Sequence, residues 1–165
     1  MENEHSKKKE TEKLEMATDP IEKIKQKRFD KITNMLIEIG TPTHLAGFKY
    51  IREGVLLALD NEDFLIKQQV VSVFYPKIGE KFNSSGPQVD RGIRHTLDCI
   101  YAENQGKEVN KLFKNMEVFG KHGKHPTSKQ FITIFVEKIK QDEREAEYHA
   151  TKVSKAIEAF NKERK

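Results

Sequence analysis

Apolar residues recur at spacings of three and four along most of this chain, and they nowhere alternate with polar residues between hairpin turns. The first pattern is typical of amphipathic helices, whereas alternation is typical of half-buried strands. The sequence therefore predicts an all-α protein with almost no β structure. Its 165 residues suit one domain of common size plus tails.

Local signals predict the ends of the first two helices. Asp19 and Pro20 supply a capping side chain and a proline at the first helical position, and Gly40 supplies a C-terminal stop. Thr43 is the expected cap of a second helix over residues 44–59. The apolar positions of the first helix are Ile21, Ile24, Ile32, Met35, Leu36 and Ile39.

The rest of the chain also reads as helical. A polar run at 60–63 ends the second helix, and a third apolar segment covers residues 64–74. A short helix is expected to begin at Pro76 and to end near Phe82. A last helix begins near Ser128 and meets no glycine or proline before the C-terminus.

Charge is unevenly distributed along the chain. Charged residues make up 34% of it, with a formal net charge of +4, and the first 18 residues are almost entirely charged or polar. Such a segment buries too little apolar area to offset its ordering entropy, so we expect residues 1–18 to be disordered or a frayed helix. We expect one domain over 19–140 and a helical extension over 141–165.

The sequence argues against several function classes. Its single cysteine, Cys99, rules out a disulfide framework and a cysteine-built zinc site, and we expect it to be a packed thiol. The apolar stretches 54–59 and 70–75 are far shorter than the roughly 20 residues of a membrane span. His122 and His125 lack further metal ligands nearby. Without a signal peptide or a catalytic signature, we expect a cytoplasmic, nucleoid-associated protein with no membrane contact, enzymatic activity, metal or cofactor.

The most informative stretch, residues 76–95, is typical of a helix-turn-helix unit, whose second helix enters the DNA major groove. Gly79 is small enough for the two helices to cross closely, and Asn83 tolerates a left-handed turn conformation. Ser85 is placed to cap the second helix, with Gln88 three residues later completing a capping box.

The second helix of this unit divides into two faces. Arg91 falls nearly opposite the apolar stripe at 100° per residue, close to Arg94. Arginine pairs with guanine, an acidic residue with cytosine and glutamine with adenine, so this face suits base recognition. The alternative is a solvated face in which Asp90 pairs with Arg94 at i,i+4. The apolar stripe consists of Val89, Ile93, Leu97 and Ile100.

Five segments carry a resemblance to a known family: residues 37–48, 50–53, 75–83, 89–95 and 124–132. On these segments, the stretch from Ile32 to Lys140 resembles the C-terminal effector domain of the stage-zero sporulation response regulators. The resemblance implies an all-α domain of about six helices that binds short promoter elements as a head-to-tail pair on neighbouring sites. We therefore expect sequence-specific binding of double-stranded DNA, regulation of transcription, and a homodimer or tandem pairing on DNA.

The resemblance also implies base-reading residues. The family's acidic residue followed by arginine corresponds to Asp90 and Arg91, and a further family arginine corresponds to Arg94. Gln88 stands where the family has another arginine, so one positive contact is lost. We expect these four residues to read bases. Gly92 replaces a family alanine and is expected to weaken its helix by about 1 kcal/mol.

A second group of residues is expected to contact DNA phosphates. Residues 107–125 form the most basic stretch of the domain and follow the recognition helix directly, and basic side chains bind phosphates without reading sequence. The alternative is a solvated surface loop. The expected phosphate-contacting residues are Ser85, His95, Lys111, Lys114, Lys121 and Lys124.

Regulators of this family carry an N-terminal receiver domain that is phosphorylated on aspartate. Residues 1–31 are too few for such a domain, so we expect DNA binding that is independent of phosphorylation. Two other functions stay open. One is an interaction protein that pairs with and inhibits a full-length sporulation regulator. The other is a replication or partition DNA-binding protein of a mobile element.

The C-terminal extension carries its own apolar stripe, which recurs at four, three, four and three residues, the spacing of a coiled coil. Three partners for this stripe stay open: a second copy of the chain, its own domain, or an unrelated protein. The stripe consists of Ala146, Ala150, Val153, Ile157 and Phe160.

Overall fold

The computed structural model describes residues 19–66, 69–104, 106–114 and 125–164, and these ranges are helical with no β-strand. The all-α prediction is confirmed. A 3-10 turn (Glu62–Leu65) and a π-helical turn (Val70–Phe74) lie between the second and third α-helices. The described ranges contain six α-helices: α1 (Pro20–Glu38), α2 (Ala46–Asp60), α3 (Tyr75–Phe82), α4 (Gly86–Asn104), α5 (Lys107–Leu112) and α6 (Ser128–Glu163).

The ends of α1 form as the sequence predicts. The Asp19 carboxylate accepts a hydrogen bond from the Ile21 backbone N–H at 3.1 Å, and the helix begins at Pro20. After the helix, Gly40 adopts a φ of 78°, a left-handed conformation that glycine adopts at no steric cost.

The start of α2 differs from the prediction. The helix begins at Ala46, and its N-cap is Leu45, which makes no side-chain capping bond. Thr43 is instead part of a turn that the Leu45 N–H closes on the Pro42 carbonyl at 3.3 Å. The predicted Thr43 cap is therefore wrong. The neighbouring Gly47 packs directly on another helix, so tertiary contact rather than a cap places this helix start.

Side-chain caps do mark two later elements. The Asn61 side chain accepts a bond from the Asp63 N–H at 3.0 Å and caps the 3-10 turn. Thr127 and Gln130 form a reciprocal capping box at the start of α6, with bonds of 2.9 and 3.2 Å. The predicted last helix is confirmed and runs without interruption over 36 residues.

The core lies around α2, which contacts α1, α3, α4 and α6. Ile51 and Val55 of α2 are fully buried, and Phe135 of α6 packs on Phe113 with ring centroids 5.0 Å apart. The predicted inner stripe of α4 is confirmed, since all four of its residues are buried. Other fully buried residues are Ile32, Leu36, Ile39, Phe74, Ile78, Phe131 and Ile132.

Ion pairs join the first helix to the last. The Arg28 guanidinium makes two hydrogen bonds, of 2.9 and 3.0 Å, to the Glu143 carboxylate, and these bonds raise the pKa of Arg28 above its usual value. Lys31 lies 2.7 Å from Asp142. The first two apolar residues of α1, Ile21 and Ile24, are exposed, so the apolar face of this helix is buried only in its second half.

The C-terminal part of α6 leaves the core. Ile139 is the last buried residue of the helix, and every described side chain from Arg144 onward is exposed. Within the extension's stripe, Ala146 lines a groove with Ile24 and Arg28 of α1, whereas Val153, Ile157 and Phe160 keep more than half of their surfaces exposed. No helix in the described part of the chain is both long and apolar enough to span a membrane.

Candidate nucleic-acid interface

The turn between α3 and α4 has a fixed shape. Asn83 ends α3 with φ 53° and ψ 44°, the left-handed conformation that the sequence predicts. The Ser84 N–H then donates to the Gly79 carbonyl at 2.9 Å. A Cβ on Gly79 would lie 2.0 Å from the Ser84 carbonyl oxygen, so only glycine allows the turn to fold back this closely.

The start of α4 is capped as predicted. The Ser85 N–H donates to the Gln88 side-chain oxygen at 2.7 Å, and the Gln88 N–H donates to the Ser85 hydroxyl at 3.3 Å. The side-chain oxygen of Gln88 is thus engaged within the helix, while its amide N–H groups stay available for an outside acceptor. Beside the cap, the Tyr50 and Ser84 hydroxyls lie 2.7 Å apart and tie the turn to α2.

The inner face of α4 approaches α2 at two glycines. A Cβ on Gly47 would lie 2.4 Å from the Gly92 carbonyl oxygen and 2.0 Å from the Thr96 hydroxyl. A Cβ on Gly92 would lie 2.9 Å from the Tyr50 ring. The lower helix propensity of Gly92 is therefore accompanied by a close contact that the sequence does not reveal.

The outer face of α4 carries two arginines in different states. Arg91 is exposed and has no side-chain partner among the described residues. The Arg94 guanidinium lies 3.0 Å from the Asp90 carboxylate, which is the i,i+4 pair that the solvated-face alternative predicts. Both arginines are nevertheless exposed, and the Arg94 side chain keeps 61% of its surface in solvent.

Asp90 joins three helices. Besides Arg94, its carboxylate accepts a bond of 3.4 Å from the Ser128 hydroxyl at the start of α6. It also faces Tyr75 at the start of α3. Burial, reinforced by the negative charge of Asp90, raises the pKa of Tyr75 to about 12. Asp90 therefore holds α4 against its neighbours, a role that sequence reasoning missed.

A second polar contact joins α4 to the segment before α6. His125 Nε2 lies 2.7 Å from the Asp98 carboxylate, and Nδ1 lies 2.8 Å from the Pro126 carbonyl oxygen. The Tyr101 ring lies 5.9 Å from the His125 ring. Sequence reasoning weighed His125 as a metal ligand and as part of the basic stretch 107–125, because nothing local shows that it lies beside a residue 27 positions earlier.

A family model, described as the C-terminal domain of the sporulation initiation factor Spo0A, matches residues 32–139. The chain belongs to this family. The match covers both helices of the α3–α4 unit and ends at Ile139, the last buried residue of α6. Because the Spo0A C-terminal domain is a DNA-binding domain of sporulation initiation and not an enzyme, the protein is a DNA-binding protein of that type.

Within this Spo0A-type domain, the four residues expected to read bases lie on the first three turns of α4. Gln88, Arg91 and Arg94 are exposed, whereas Asp90 is half-buried. Their contact with bases stays a prediction. His95, expected to contact phosphate, is exposed, and its Nε2 lies 4.0 Å from the sulfur of the half-buried Cys99.

The basic stretch after α4 is only partly described. Residues 107–112 form α5 rather than a loop, and Val109 and Phe113 bury this helix in the core. Lys111 is exposed and lies 2.9 Å from Glu108, and Lys114 is exposed. Lys121, Lys124 and His122 fall outside the described residues. Within the described ranges, no cluster of three His, Cys, Asp or Glu side chains could hold a metal ion.

Proposed function

We propose that the protein is a cytoplasmic, nucleoid-associated regulator of transcription that binds double-stranded DNA sequence-specifically through α4. The observation that carries the proposal is Arg91, an exposed arginine without a described partner on the outer face of a helix whose start and crossing are fixed. A fixed helix presents the guanidinium in one orientation, which bidentate pairing with guanine requires. Family membership supports DNA binding by this domain.

The other outward residues suit narrower roles. Arg94 and Asp90 form an ion pair that faces the same side, so Arg94 can contact DNA while Asp90 keeps its orientation. Gln88 offers only amide donors, because its oxygen accepts from Ser85. We therefore propose Arg91 as the main base-reading residue, with Arg94 and Gln88 adding contacts and Asp90 positioning Arg94.

Binding is proposed to need no phosphorylation of this chain and to use pairs of copies on neighbouring DNA sites. The described residues before the family match belong to α1, which packs on α2 and, through Arg28 and Glu143, on α6. Treatment of the purified protein with acetyl phosphate should leave its DNA affinity unchanged. A gain in affinity, or a stable acyl phosphate on the chain, would contradict this part of the proposal.

The test of sequence reading compares two arginine substitutions. A preferred duplex is first selected from a random pool, and affinities are then measured for it and for a scrambled duplex. Arg91→Ala should weaken binding to the preferred duplex by about 1–3 kcal/mol and relax the preference at one base pair. Arg144→Ala removes the same charge from the exposed extension and should change neither affinity.

Equal binding of both duplexes by the unmodified protein would refute sequence-specific recognition. Genome-wide crosslinking of a tagged copy then distinguishes the remaining functions. Occupancy of many promoters supports transcription regulation, a single occupied locus indicates a replication or partition protein, and the absence of occupied sites favours an inhibitor that pairs with a full-length sporulation regulator.

A further inference from the structure

The apolar stripe of the C-terminal extension continues the buried face of α6. Buried residues Ile132, Val136 and Ile139 and the later stripe fall on one series with steps of three and four, in which Glu143, the ion-pair partner of Arg28, stands between Ile139 and Ala146. The first part of this series packs on the domain, and the second part extends beyond it. Val153, Ile157 and Phe160 keep 57%, 54% and 57% of their surfaces exposed. A coiled-coil face that long outside the core indicates a partner helix.

We propose that this partner is the same segment of a second copy, paired antiparallel over residues 146–164. The stripe is graded in size, with Ala146 and Ala150 at its start and Ile157 and Phe160 at its end. An antiparallel pair centred on residue 155 places each phenylalanine opposite an alanine. A parallel pair would instead stack alanine on alanine and phenylalanine on phenylalanine, leaving a gap at one end and crowding the other.

The residues beside the stripe fit the same register. In an antiparallel coiled coil, each heptad position that flanks the apolar seam faces the equivalent heptad position of the other helix. His149 then faces Glu163 of the second copy, and Glu147 faces Asn161, so both contacts can form hydrogen bonds. Ser154 and Ala156 face their own copies, and these small side chains allow close approach. A parallel pair would bring Glu147 near Asp142 of the other chain, a contact between like charges.

This pairing is separate from the proposed DNA contacts. The stripe begins after Ile139, where the family match ends, and it shares no residue with the outer face of α4. The two domains would lie at opposite ends of the helix pair, since each is attached at the start of its own extension. The interface is two-fold symmetric, because the same patch is used on both copies.

The first test is the mass of the full chain in solution without DNA. Light scattering over about 1–100 µM, a range that brackets the affinity of a short helix pair, should show the mass rising from 19.2 kDa toward twice that value. Ile157→Asp should keep the mass at that of a monomer, with unchanged helical circular dichroism. Lys155→Asp, on the opposite face of the extension, should still pair. A monomer at every concentration, or pairing by Ile157→Asp, would overturn the proposal.

The second test measures orientation. Spin labels are placed at Lys155→Cys or Lys162→Cys in a Cys99→Ser background, and the distance between the two copies is measured for each. Both positions lie on the outer face of the helix pair. In the antiparallel pair, residue 155 is level with its copy, whereas residue 162 is displaced from its copy by about 21 Å along the axis. Equal distances at the two positions would overturn the antiparallel arrangement.

Discussion

Two glycines face each other where α2 crosses α4, and they determine how closely the recognition helix is held. Gly47 has no room for a Cβ beside the Gly92 carbonyl and the Thr96 hydroxyl. Thr96 is itself buried and donates to that same Gly92 carbonyl at 2.9 Å. A backbone contact of this kind cannot relax by rotating a side chain, so these residues fix the helix crossing.

Substitution of Gly47 tests this crossing. Gly47→Ala should lower the free energy of unfolding by about 1–3 kcal/mol or more, because the new methyl group meets backbone. Gly92→Ala should cost less, since it meets the Tyr50 ring and gains helix propensity. Denaturant unfolding of both variants measures the difference. A Gly47→Ala protein as stable as the unmodified chain would show that the helices are not in contact there.

The Tyr75 phenol gives a pH-dependent test of packing at the α3–α4–α6 junction. Burial raises the pKa of Tyr75 to about 12, above its usual value of about 10. Below pH 10 the phenol is neutral in both states. Between pH 10 and 12 it ionises in the unfolded chain only, so stability should fall with rising pH by up to about 2–3 kcal/mol. The free energy of unfolding of Tyr75→Phe, measured across the same pH range, should not show this decrease. An identical pH dependence in both proteins would contradict the burial.

At the scale of helices, the sequence predicts the elements whose signals are local. Asp19 with Pro20, Asn83, and Ser85 with Gln88 set helix ends through bonds within a few residues, and all of these predictions are confirmed. The sequence does not predict contacts between distant elements. The start of α2 depends on α4, which the Thr43 signal does not include.

In the candidate site, too, the sequence predicts the features that are set locally but not the contacts between distant residues. The inner and outer faces of α4 follow from helical periodicity, so the sequence identifies Arg91 as an outward residue. Asp90 is harder to interpret, because its bond to Ser128 spans 38 residues and depends on how α6 packs. A pattern on one helix therefore indicates which residues can reach DNA, but not which of them also join the domain together.

Helix α5 and the turn that follows it carry the phosphate-contact prediction that the structure makes testable. The double substitution Lys111→Ala and Lys114→Ala should weaken binding to every duplex alike and lower the slope of log affinity against log salt by about 0.9 for each lost phosphate contact. Lys152→Ala with Lys155→Ala removes the same charge from the extension and should leave the slope unchanged. If the α5 variant loses only sequence preference, its lysines read bases instead.

At the scale of the molecule, the two proposed surfaces lie on helices that share one core. The proposed DNA surface belongs to α4, whose contacts with α2 and α6 fix its orientation. The proposed pairing surface belongs to the end of α6, the helix whose first half forms part of the same core. Because one uninterrupted helix contains both the core contacts and the stripe, pairing of two copies constrains how their recognition helices approach DNA.

Removal of the extension should therefore leave binding to a single DNA site unchanged and remove the cooperative binding of two copies. A chain that ends after Glu143 keeps every buried residue of α6 and the Arg28 ion pair, so it should bind a duplex with one site as tightly as the full chain. On a duplex with two sites spaced to suit the pair, the full chain should bind more tightly by a factor on the order of 10², because the second copy is held at high effective concentration. Titrations of one-site and two-site duplexes measure both quantities. If the shortened chain keeps the two-site advantage, the cooperation arises from the domains themselves and not from the extension.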